Sequence, residues 1–260
     1  MRPRALVSAA ALLVLAVAAC GGPAEREPAD PTVLPPAGGD GGDARADLAA
    51  RAALALDKSY AALYTLDDDG SGRQHHVVAT IAADGTWRVD VSGGAHGGAT
   101  DVSIVSIKSG VYQCTVATAT NPINPTCVRV AAAGKRVPKA YDPQVERLFR
   151  QWLGVFTDRQ AAISVAEVEP LRGAQGSCYS IDSISASLKA PVDIGIYCYA
   201  NDGVLTAARV GFGVLTIVSQ AAGPATVQLP GPDVGGQPMP TEAPPPPPPA
   251  VEPSGSTPPA

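Results

Sequence analysis

Three histidines, two groups of carboxylates and one glycine-rich loop are the parts of this 260-residue chain whose residue types could perform chemistry, and each lacks the geometry its chemistry requires. His75 and His76 are adjacent in a stretch of alternating character, so on a strand their rings face opposite sides and cannot share a substrate. His96 lies in Gly93-Gly94-Ala95-His96-Gly97-Gly98, which lacks the Gly-Lys-Ser/Thr ending of a phosphate cradle, and the chain holds no G-x-S-x-G nucleophile elbow. That loop reads as a hydrophilic hairpin tip. The run Asp67-Asp68-Asp69-Gly70-Ser71-Gly72 has a calcium flavour, but the position that a calcium loop reserves for a bidentate Glu is Val78. It reads as a solvated turn. Glu167 and Glu169 share one face at strand spacing, yet Pro170 follows them and nothing marks a substrate cleft. The expectation is a non-enzyme with no catalytic residue, cofactor or metal.

Arg2 and Arg4 charge the N-terminus, Ala5 to Ala19 form a small apolar run, and Val17-Ala18-Ala19-Cys20 is followed by Gly21-Gly22. This arrangement resembles a bacterial lipoprotein export signal ending in a lipobox. The resemblance implies that residues 1–19 are removed as a signal peptide, that Cys20 carries a diacylglyceryl group of the palmitate type, and that the new N-terminus can be acylated. An ordinary secretory signal cleaved after Ala19 is the alternative. The apolar run of about 15 residues is shorter than the roughly 20 that a spanning helix needs. Two or more acyl chains hold a protein stably where one holds it marginally, so the expected location is the cell membrane, lipid-anchored on its extracytoplasmic face. Residues 20–43 then form the lipidated Cys and an unfolded tether, since Gly21 to Asp43 is rich in Pro, Gly and acid with little apolar content. Fully extended, it reaches at most roughly 70 Å.

Four cysteines remain: Cys114, Cys127, Cys178 and Cys198. An even number in an exported chain suggests two disulfides, for which three connectivities are possible; sequence proximity favours Cys114 with Cys127 and Cys178 with Cys198. A zinc site needs thiolates clustered as in C-x-x-C, and no two of these are so close.

Residues 44–230 are the length of one domain. From Pro230 onward lie 13 of the 26 prolines, six of them consecutive, so residues 231–260 read as a disordered tail, either passive or a spacer and docking segment of the envelope. The net charge is −5 and no Lys or Arg follows Arg209, which argues against a nucleic-acid partner.

Within the domain, Leu48, Ala52, Ala55, Ser59, Tyr60 and Leu63 fall at three- and four-residue spacing and predict a helix from Ala44 to about Leu66. The period then becomes two. Gln74–Ala82 and Thr86–Ser92 flank the turn Ala83-Asp84-Gly85, and Asp101–Lys108 and Val111–Ala117 flank Ser109-Gly110, giving two hairpins. In the second hairpin Val102, Ile104 and Ser106 face one way and Ser103, Val105 and Ile107 the other, so both faces of that sheet must be covered. Asp142 and Pro143 suit the N-cap and first position of a helix reaching Phe156. Its stripe Val145, Leu148, Phe149, Trp152, Leu153 and Phe156 packs on the sheet or forms the wall of an apolar ligand site, with Glu146, Arg147, Arg150 and Gln151 facing away. Strands follow at 176–183, 192–199, 204–211, 213–219 and 225–229, consistent with an antiparallel sheet.

The order of a lipobox, a tether, an N-terminal helix, hairpins and an amphipathic helix, followed by Gly176-Ser177-Cys178-Tyr179, Tyr197-Cys198, Asp202-Gly203-Val204-Leu205 and Pro230, resembles actinobacterial envelope lipoproteins with a LolA-like fold. The resemblance implies an α+β domain with an antiparallel sheet curved as an incomplete barrel around or against helices. It also implies non-covalent binding or carriage of a lipid, glycolipid or other apolar ligand, by burial alone. The other function class is a structural or interaction lipoprotein with no ligand cavity, acting on a protein partner.

Overall fold

The computed structural model describes residues 41–68, 72–119, 122–184 and 190–246. Residues 1–40, including Cys20 and nearly all of the expected tether, and residues 247–260 lie outside them.

The first helix, α1 (Gly41–Asp57), begins three residues before the expected start and ends nine before the expected end. Lys58 and Ser59 separate it from β1 (Tyr60–Asp67), where Tyr60, Ala62, Tyr64 and Leu66 alternate into the core. The spacing of Tyr60 and Leu63 fits both periods. Pairing with a strand on each side decides for the sheet, because long-range pairing overrides the helical propensity of Ala and Leu.

Ten more strands follow: β2 (Gln74–Ile81), β3 (Trp87–Ala95), β4 (Thr100–Ile107), β5 (Gly110–Thr115), β6 (Cys127–Ala131), β7 (Ile163–Val168), β8 (Ser177–Ser183), β9 (Gly195–Tyr199), β10 (Leu205–Val210) and β11 (Gly213–Ala222). All pair antiparallel in one sheet, in the order β6-β5-β4-β3-β2-β1-β11-β10-β9-β8-β7. Two meanders therefore meet where β1 pairs with β11, and the sheet stays open, with β6 and β7 as its edges. This is the α+β incomplete-barrel architecture expected. Both predicted hairpins are present, whereas β6 and β7 went unrecognised and 225–229 is not a ladder strand. That last segment crosses the β2–β3 turn, with Ala83 N donating to Pro224 O at 3.0 Å and Val227 N to Thr86 Oγ1 at 2.7 Å.

The chain between β6 and β7 carries the helical stripe onto the inner face of the sheet, beside α1, whose Leu48, Ala52 and Ala55 join the same core. The outer face carries two small satellite cores, each built on a disulfide. Cys114–Cys127 joins β5 to β6 beneath Val105, Tyr112 and Val227, and Cys178–Cys198 joins β8 to β9 beneath Leu171 and Ala207. Both bonds link directly opposed residues, with Cα atoms 4.0 Å apart, in the connectivity that proximity favoured. Val105 and Ser103 are buried on that outer side, so both faces of the second hairpin are indeed covered.

The expected disordered tail is corrected in its first part. Residues 231–246 lie against the domain, hydrogen-bonded to β6, to β5 through Gln113, and to the β3–β4 connection. A composition poor in apolar residues argues against an independent core, but it does not weigh hydrogen bonds that another segment offers to an extended backbone.

Candidate functional site

The predicted stripe is the natural starting point for a ligand site, and its backbone departs from a single helix. Asp142 Oδ1 accepts the Gln144 amide at 2.7 Å, as a cap would, but Gln144 then takes φ +70° and Val145–Phe149 winds as a 3-10 turn. Arg150, at φ −143° and ψ −50°, is neither helical nor extended, and only Gln151–Thr157 (α2) is α-helical. Arg150 also donates to Leu56 O at 2.6 Å, satisfying a carbonyl at the C-terminus of α1. Burial of its guanidinium lowers its pKa. Arg150 and Glu146 were expected to face solvent and instead are drawn inside.

Across this break, Val145, Leu148, Phe149, Trp152, Leu153 and Phe156 still converge on one face, each only 0–2% exposed. Their partners are tyrosines of the inner sheet face. Phe149 lies 5.2 Å from Tyr64, Trp152 5.9 Å from Tyr197, and Phe156 5.2 Å from Tyr197 and 6.5 Å from Tyr199, all tilted or edge-on as ring quadrupoles favour. With so little accessible surface this layer is packed by the protein's own side chains, and only the edge of Phe156 borders a cleft between α1 and α2. Tyr64 donates its hydroxyl to Leu205 O at 3.0 Å and Tyr197 to Asp193 O at 2.6 Å. Burial pushes both phenols well above their ordinary pKa, so they stay neutral donors.

Beside the stripe sits a compact acidic group. Asp142 is buried and ion-paired with Arg147, whereas Glu146, 5% exposed, keeps one carboxylate oxygen without a protein partner. Burial and then the neighbouring Asp142 charge push the Glu146 carboxyl well above the usual range, and burial raises Asp193 as well. Charge alternation gave no sign of this group, because its members sit on the side of the stripe that amphipathicity assigns to water.

This apolar cleft of about 480 Å³ opens to solvent between α1 and α2, lined by Ala46, Ala49, Ala50, Phe156, Thr157 and Arg159 among others. Helix α1 is fixed at its side by a polar clamp: Arg51 donates to Tyr179 at 2.7 Å, to Asn201 at 3.0 Å and to Ser177 at 3.1 Å, and Tyr179 donates to Asp47. The Tyr179 bond holds the Asp47 carboxyl below its ordinary range, while burial, and then that same carboxylate, push Tyr179 up to about 12.

The residues dismissed for catalysis lie apart. His75 and His76 are both on β2, His96 caps the β3–β4 connection with Nδ1 3.1 Å from Thr100 Oγ1, and Glu167 and Glu169 are exposed around the end of β7. Among the described residues no cluster of three or more His, Cys, Asp or Glu side chains could hold a metal ion.

No known protein family and no curated protein matches this sequence. Distant structural similarity is found to a crystal structure of MucB (12% identity, 77% of this chain and 66% of that one, TM-score 0.41). It extends to MucB in complex with MucA(peri) (12%, 71% and 57%, 0.38) and to the MucA/MucB complex of Pseudomonas aeruginosa (13%, 70% and 59%, 0.37). The chain spans less than two thirds of the length of each of these chains.

Proposed function

We propose that this chain is a lipid-anchored, extracytoplasmic envelope protein whose folded domain acts by binding another polypeptide, its interior being filled by its own side chains. The observation that carries the reading is the closed aromatic layer between the stripe and Tyr64, Tyr197 and Tyr199, at the place where an internal ligand would lie. Two disulfides on the outer face fit an oxidising compartment, and the lipobox pattern around Cys20 fits an anchor outside the membrane.

A second reading, carriage of a lipid or other apolar ligand, is favoured by one feature, the cleft of about 480 Å³ between α1 and α2, a size typical of ligand sites. Purification of the full protein from membranes under native conditions, with organic extraction and mass spectrometry of what is released, separates the two. Release of no stoichiometric acyl compound supports the polypeptide-binding reading. One equivalent of a released lipid supports the carrier and sinks the first reading.

A further inference from the structure

Residues 231–246 are held by backbone hydrogen bonds, with the Met239 side chain also packed against the main core. Pro232 O accepts from Cys127 N at 2.9 Å and Val234 N donates to Cys127 O at 2.8 Å, a parallel bridge on the edge strand β6. Gly235 and Gly236 follow with open space around them. Met239 is then gripped by one side chain: its N–H donates to Gln113 Oε1 at 2.6 Å and its C=O accepts from Gln113 Nε2 at 2.9 Å. The amides of His96 and Gly97 donate to the successive carbonyls of Pro240 and Thr241, each at 2.8 Å, and Thr241 N donates to Ala140 O at 2.9 Å.

Three features mark this as a built seat for an extended peptide. Gln113 is a carboxamide only 3% exposed on the inner face of β5, and the segment satisfies its acceptor and takes the shorter of its two donated bonds, the other reaching Tyr141 O at 3.4 Å. His96 at φ +52° and Gly97 at φ +68° hold the left-handed conformation that aims two consecutive amides at one strand, an unfavourable backbone for His. The donors used are Val234, Met239 and Thr241, while Pro232 precedes them and Pro238 and Pro240 lie between them, so no proline falls where an N–H is needed. Proline also stiffens the extended form, which lowers the entropy lost on docking.

We propose that the groove formed by the β6 edge, Gln113 and the His96–Gly97 amides is a docking site for an extended segment of a partner polypeptide in which prolines alternate with residues that keep their N–H, and that residues 231–246 occupy it in cis. This gives a partner chemistry to the polypeptide-binding reading and rests on it. The test below reads peptide affinity and not lipid content, so either reading fails without the other.

The test uses the full chain carrying Met239→Pro, which removes one donor and the core-packed Met239 side chain from the cis segment and leaves every groove residue unchanged. A labelled synthetic peptide of residues 231–246 is expected to bind this variant at least about tenfold more tightly than it binds the unaltered chain, where the tethered segment competes at high effective concentration. The same peptide carrying the Met239→Pro change should bind the variant chain poorly. Equal affinities of the two chains, or of the two peptides, overturn the proposal. Hydrogen exchange of the unaltered chain gives an independent measure: the Val234, Met239 and Thr241 amides should exchange together, well before those of β1 and β11. Exchange only with global unfolding makes the segment a fixed part of the core and likewise overturns the proposal.

Discussion

Phe156→Ala separates a packed interior from a ligand wall. The Phe156 ring is 1% exposed and makes edge contacts with Tyr197 at 5.2 Å and Tyr199 at 6.5 Å. Removing a buried phenylalanine costs about 3–5 kcal/mol in transfer and cavity terms. Each ring pair at such distances contributes about 0.5–1.5 kcal/mol beyond area, part of which is already inside that range. Two pairs and near-zero exposure place the expected loss near about 4 kcal/mol, against a total stability on the order of 10 kcal/mol for a domain. The variant should therefore fold and denature early. Equilibrium unfolding in urea with both disulfides intact, followed by circular dichroism and by tryptophan fluorescence, should show a lower midpoint at constant slope. A melting temperature lower by roughly 10 °C is the thermal counterpart. A loss below about 1 kcal/mol at unchanged slope would mean that the ring borders solvent or an exchangeable ligand, and would refute the filled interior.

Three other variants probe the surroundings of that layer. Glu146→Gln should flatten part of the pH dependence of stability: an acid whose folded pKa is raised contributes stability that is present below about pH 4.3 and lost as pH rises to the folded pKa, at up to ~1.4 kcal/mol per unit. Urea titrations at pH 4, 6 and 8 should show the Gln variant gaining on the parent as pH rises; a constant difference contradicts this. Gly203 has φ +86° in the β9–β10 turn, and a Cβ there would come within 2.4 Å of Ala55 N, so Gly203→Ala should push α1 off the turn and lower the melting temperature by several degrees, about 1–3 kcal/mol. Replacing Cys178 and Cys198 together with Ser opens a link of 20 residues and should cost about 2–4 kcal/mol in urea, with an unchanged unfolding midpoint as the contrary result.

Where the residues speak through periodicity, the fold was legible. The D-G turn at Asp84-Gly85, the alternation in β4 and the even cysteine count gave two hairpins, two-sided burial and both disulfides, because each depends on local geometry. The six stripe residues were found for the same reason, although the uninterrupted helix was not. Neither Gln144 nor Arg150 is a breaker, and the break brings Arg150 to the α1 carbonyl of Leu56, a partner 94 residues away. β1 was read as helix because Ala and Leu favour one locally, while β11, one of its two flanking strands, lies about 150 residues away in sequence. The seat of the C-terminal segment was illegible for a related cause. Its key groups are backbone amides and one buried carboxamide, Gln113, which in the sequence is an ordinary polar residue between Tyr112 and Cys114.

The most direct test of the closed interior is proton NMR of the protein as purified, measuring cross-relaxation of the Tyr197 ring with the rings of Trp152 and Phe156, before and after addition of a fatty acid. Strong ring-to-ring contacts that the fatty acid leaves unchanged are predicted. Contacts that are missing at the outset, or that vanish as one equivalent of fatty acid saturates the protein, would show that the stripe is a ligand wall.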